Sequence, residues 1–175
     1  MKRVLFIVLF LPTALFSQSH VDAGKSDAEK FSERDGSIIR KTFIEIGAFK
    51  KCDVKVVKYT DVINNDSISE LRFSMDVTGT YTSDTKIASL DVDEVDALLK
   101  ALRYIKDDGR KTEPKSYTEI EYTTRSGFTA GCYYSRGDWK FFIKLERYDS
   151  KSYQWFNYLD LEKLINLIEQ GAKQL

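Results

Sequence analysis

The chain has 175 residues, 42% of them hydrophobic, and its 27 basic side chains balance its 27 acidic ones. That balance provides no positive field for nucleic acid or for an anionic membrane surface. One histidine, His20, and two cysteines leave too few parts for a Ser-His-Asp or Cys-His relay or a His-rich zinc site. Neither standard glycine-rich phosphate loop occurs.

Lys2 and Arg3 precede an apolar run over residues 4–11, and residues 12–17 lead out of it. The apolar stretch 4–16 is shorter than the roughly 18 residues a membrane span needs, so it reads as a secretory signal peptide over residues 1–17. The sequence thus predicts export to the periplasm or the exterior, with cleavage near Ser17. No cysteine follows to accept a lipid, so no stable membrane anchor is expected. Without Lys2 and Arg3, 25 basic residues face 27 acidic ones, and about 158 residues remain, suited to one domain.

Residues 18–37, which include His20, are polar and lack periodicity. They are expected to form a disordered lead, with a short helix around 27–34 as the only local order. From residue 38 the texture changes to strand. Residues 42–49 and 52–63 are rich in β-branched side chains, and 69–77 alternates Leu71, Phe73, Met75 and Val77 against Glu70, Arg72, Ser74 and Asp76. A loop with Gly79 leads to a short strand at 85–89.

Residues 90–105 then place Val92, Val95, Leu98, Leu99, Leu102 and Ile105 on one face of a helix. Asp91 and Glu94 stand at capping-box spacing, and Gly109 is placed to end the helix in a left-handed cap. After a connector with Pro114, strand texture resumes over 117–124, 128–135, 139–146 and 152–158. A second amphipathic helix spans 159–171, with Asp160 as expected cap and Gly171 as expected stop. Asp160 lies 69 residues after Asp91, and a Leu-Asp pair and several apolar positions match at that offset.

The predicted fold class is therefore α+β. Residues 38–175 form one domain of two ββββα units, 38–109 and 110–175. Together the units are expected to form an antiparallel sheet of about eight strands with two helices packed on one face.

The acids Asp91, Asp93, Glu94 and Asp96 lack the spacing of a calcium loop and read as helix-dipole complements. Cys52 and Cys132, an even count in an exported chain, are candidates for a disulfide between the units, although Cys132 shares a face with Phe128 and Ala130 as a buried thiol would. Asn65-Asp66-Ser67 is a formal glycosylation sequon, and Arg136-Gly137-Asp138 reads as a tight turn rather than an adhesion tripeptide.

The second half is rich in aromatics, and alternation leaves Tyr133 and Phe142 on a polar face with Lys140 and Lys144. Those four residues are the candidate partner-binding set, because Tyr and Phe on an open sheet face can stack on a protein, peptide or glycan. The sequence thus suggests an exported, non-enzymatic binding module with no catalytic residues, metal or cofactor. The alternatives are a carrier of a small apolar ligand between sheet and helices, and a carboxylate-based hydrolase.

Overall fold

A computed structural model describes residues 24–78 and 83–175. The signal-peptide stretch, residues 18–23 with His20, and Gly79 lie outside the described residues. The element order is α1 (Asp27–Ser32), β1 (Ile39–Phe49), β2 (Cys52–Asp61), β3 (Ser67–Thr78), β4 (Ser83–Asp91) and α2 (Val92–Asp107). It continues with β5 (Thr118–Thr123), β6 (Thr129–Ser135), β7 (Asp138–Lys144), β8 (Tyr153–Phe156) and α3 (Tyr158–Ala172). Two ββββα units are therefore present, each a four-stranded antiparallel meander followed by a helix.

The meanders do not join into the single eight-stranded sheet expected from the sequence. They are separate sheets, ordered β1-β2-β3-β4 and β5-β6-β7-β8. At β4, loops of the second unit take the contacts that a fifth strand would have made. The Ser126 hydroxyl donates to the Ser89 carbonyl at 2.8 Å, and Lys86 reaches Glu146 and Asp149 at 3.3 and 2.7 Å.

One core serves both sheets. Val54, Val56, Leu71 and Phe73 of the first sheet share it with Phe128, Ala130, Phe141 and Ile143 of the second. Ring stacking of Phe73 on Phe128 (5.0 Å) and an edge contact of Phe49 with Phe156 (5.0 Å) join the two inner faces. The helices lie side by side on this core side. α3 crosses β1, β2 and β3, while α2 spans β3 and β4 as well as β5 and β6. The helix that ends the second unit thus covers the first sheet.

The helix starts revise the alignment of the two units. Asp91 caps α2, and its N–H donates to Glu94 at 3.0 Å, as the capping-box spacing predicts. α3 begins earlier than the pattern suggested: Asn157 is its cap, and Asp160 is its third residue. The structural offset between the helices is therefore that of Asn157 on Asp91, 66 residues and not 69. At this offset Val95, Leu98, Leu99 and Leu102 match Leu161, Leu164, Ile165 and Ile168, all buried. The Leu-Asp match was a coincidence of composition.

Neither glycine ends its helix in a left-handed cap. Gly171 lies within α3, where a Cβ would stand 2.4 Å from Leu71 Cδ1. Gly109 opens a 3-10 turn and lies against Ile120 and Tyr104.

The described part of the lead is ordered. Ser26 caps α1 in a full capping box with Glu29, and Ala28 and Phe31 are buried against Val57 and Tyr59 on the outer face of the first sheet. The Asp91 carboxylate accepts the N–H groups of Asp27 and Ala28 at 2.7 and 3.1 Å, so one side chain anchors the start of α1. Six residues with two apolar side chains are too few for a periodicity signal. The short helix expected around 27–34 is α1, Asp27–Ser32, and it is buried against the sheet and not part of a disordered lead.

Candidate binding surface on the second sheet

Strand register decides what the outer face of the second sheet displays. Tyr133 pairs with Lys140, Gly131 with Phe142, Phe142 with Trp155, and Lys144 with Tyr153. Side chains at alternate positions share a face. The four residues singled out from the sequence therefore stand together on the outer face, joined by Glu119, Trp155 and Tyr153.

Their roles differ. Phe142 is only 6% exposed, lying against Trp155 (5.5 Å) and Tyr153 (5.4 Å). It is the floor of the surface and offers little area to a partner. Lys144 donates to the Arg147 carbonyl at 2.8 Å and stands 5.1 Å from the Tyr153 ring centroid, so it braces the cluster from one side. Tyr133 is half-buried and Lys140 is exposed.

The accessible ring is Trp155, 50% exposed. It stacks parallel to Tyr153, with centroids 5.0 Å apart and planes 1° apart, and meets Tyr133 nearly at right angles at 5.9 Å. Tyr117, 61% exposed, extends the row at 5.8 Å from Tyr133. A hydrogen bond to Glu119 pushes the Tyr117 hydroxyl up to about 12, so this end of the row stays a neutral phenol.

Gly131 lies in the middle of this face. A Cβ there would fall 2.5 Å from the Ile120 carbonyl oxygen, so β5 and β6 approach as only glycine allows. Beside the aromatic row, where β8 stops, a depression of about 350 Å³ is lined by the aromatic Tyr133, Trp139, Phe141, Trp155 and Phe156 and by the polar Asp138, Lys140 and Asn157.

Other polar clusters are occupied by the chain itself. Arg125, in the β5–β6 loop, bonds both Asp93 oxygens at 2.9 Å and Asp91 at 2.7 Å, and its backbone N–H donates to Glu94 at 2.7 Å. The acidic run thus clamps a loop of the second unit onto the start of α2. Glu70, fully buried, accepts from Tyr59 (3.0 Å) and Arg72 (2.8 Å). Burial raises its pKa despite the pull of the Arg72 guanidinium.

Cys52 and Cys132 are free, buried thiols in the shared core, and the disulfide suggested by their even number is not formed. They belong to different sheets, Cys52 at the β1–β2 hairpin and Cys132 mid-strand in β6. Burial pushes both thiols up to about 12, a state without nucleophilic reactivity. Asn65 sits exposed at the β2–β3 connection with φ 58°, and Arg136 and Gly137 form the β6–β7 turn.

Trp155 and Tyr153 were within reach of the sequence, as an aromatic pair two residues apart in a predicted strand. Their meeting with Phe142 was not, because a 3-10 turn at Ser150–Ser152 breaks the β7–β8 connection and hides the register. These features define a class: an α+β protein of two antiparallel meanders around a shared core, with an aromatic surface on the outside of the second. No protein-family model, curated protein sequence or solved structure matches the chain.

Proposed function

We propose that this chain is an exported, non-enzymatic binding module that captures its partner on the outer aromatic face of the second sheet. The observation that carries the reading is Trp155, half exposed yet fixed by stacking on Tyr153 and a tilted contact with Phe142. A large exposed ring that is already ordered loses little conformational entropy on binding.

Export rests on the basic start and short apolar run of residues 1–17. A binding role in place of catalysis is supported by the engagement of three of the four most buried carboxylates. Asp91, Glu94 and Asp61 accept hydrogen bonds from backbone N–H groups, while Glu70 accepts from Tyr59 and Arg72 on Oε1 alone and its Oε2 is without a partner. Side chains of both sheets and of α2 and α3 pack into one continuous buried cluster, which favours a ligand held on the surface over one carried inside.

The test is capture from a cell-surface extract by immobilised protein, comparing the native chain with a Tyr133→Ala/Trp155→Ala variant. The variant should unfold at nearly the native temperature and lose the captured partner. Equal capture by both proteins would remove the aromatic face as the binding surface.

A further inference from the structure

The depression beside Trp155 carries a more specific reading, which rests on the aromatic face being the binding surface: we propose that it is a subsite for a neutral saccharide, taking one pyranose ring against Trp155. Its volume of about 350 Å³ lies near the lower end of the roughly 300–1,000 Å³ of small-ligand sites.

One wall is aromatic. The Trp155 ring and the Tyr133 ring, set at 83° to each other, make a corner suited to the C–H face of a sugar. Trp139, Phe141 and Phe156 add apolar lining, and the polar side chains beside them are largely unspent. Among the described residues, the side chains of Asp138 and Lys140 make no hydrogen bond or ion pair. Asn157 uses its Oδ1 to accept the Asp160 N–H, leaving its amide N–H groups available.

The main chain adds further partners. The last β7–β8 pair is Phe141 with Phe156, so residues 138–140 of β7 run on past the end of β8. Successive strand residues direct their N–H and C=O groups to opposite sides. Part of the 138–140 backbone therefore faces the depression with no neighbouring strand.

This combination selects a ligand. Donors and acceptors are both present, and the carboxylate of Asp138 offsets the ammonium of Lys140. An anion or a cation would meet repulsion along with attraction, and an apolar ligand would bury both charges unpaired. A peptide added as a strand would find only three residues of free β7 edge, short of the usual five or six. A polyol with one apolar face satisfies ring, charges and backbone together.

The experiment is titration of the ¹⁵N-labelled chain with neutral hexasaccharides of glucose, mannose, xylose and N-acetylglucosamine, each followed by amide shifts. A proline-rich decapeptide serves as the competing probe. At least one saccharide should shift residues 138–140 and the indole N–H of Trp155, and Trp155→Ala should weaken its binding by about tenfold. Trp155→Phe should retain part of the affinity, and Asp138→Asn should weaken binding while leaving thermal unfolding unchanged.

Absence of binding by every saccharide would overturn the subsite. If the decapeptide binds in a Trp155-dependent way and the sugars do not, the saccharide assignment fails while the wider reading of the face stands. If no probe and no captured partner depends on Trp155, both fail.

Discussion

Asp61 ends β2 and organises the turn that follows. Its carboxylate accepts from the Ser37 hydroxyl, the N–H groups of Ile63 and Asn64, and the Asn64 side-chain amide, at 2.8–3.2 Å. The Asn64 amide above all, with the two backbone donors and Ser37, holds its pKa down to about 2 against the opposing effect of burial. A folded pKa below the ordinary 3.8 means that the folded chain binds fewer protons than the unfolded one between those values. The stability from Asp61 is therefore present above the ordinary value and lost as pH falls through about 2. Asp61→Asn should lower the urea midpoint at neutral pH, and the gap to the native chain should narrow as pH falls from about 5 to about 2. A gap that stays constant over that range would contradict the assigned carboxylate. Sequence alone did not single out Asp61, because its donors come from a turn whose geometry no pattern encodes. The Asp91–Glu94 capping pair was legible because its members are three residues apart. Arg125, the partner of Asp91 and Asp93, stands more than thirty residues away and could be found only in three dimensions.

Elements were read more reliably than the contacts between them. Every predicted strand and both amphipathic helices exist, since alternation and 3.6-residue periodicity report directly on which face is buried. The failures lie at ends, where a few polar residues decide: Asn157 and Asp160 are both good caps, and only the fold shows which is used. The β6–β7 hairpin is a success of turn chemistry with a flaw in it. Ser135 pairs with Asp138, so Arg136 and Gly137 form a two-residue loop, and their φ values of 54° and 84° are those of a type I′ turn. Gly137 takes this conformation freely, whereas Arg136 is strained by roughly 1–2 kcal/mol for a side chain in the left-handed region. Arg136→Asn should relieve part of that strain and raise the thermal midpoint by about 2–4 °C. Differential scanning calorimetry decides it, and an unchanged or lower midpoint would show that the turn carries no such strain.

At the scale of the molecule, the two units complete each other rather than standing side by side. The sequence showed that there were two, but not that α3 of the second would lie on β1, β2 and β3 of the first. Periodicity identifies an apolar face, never the surface that will cover it. The consequence is that neither meander has a finished core. Without α3, the first sheet leaves Leu71 and its neighbours open where Gly171 and Leu167 now pack. Without α2 and the first sheet, the inner residues Phe128, Phe141 and Ile143 have few partners beyond one another. A four-stranded meander with one face uncovered buries too little apolar surface to offset its conformational entropy. Residues 24–111 and 112–175, produced separately, should therefore each give poorly dispersed amide spectra and no cooperative unfolding. Mixed in equal amounts, they should recover the native near-ultraviolet circular dichroism, because α3 can then return to the first sheet. A cooperative thermal transition for residues 24–111 alone would show that the first unit is independently stable and that α3 is an addition to it.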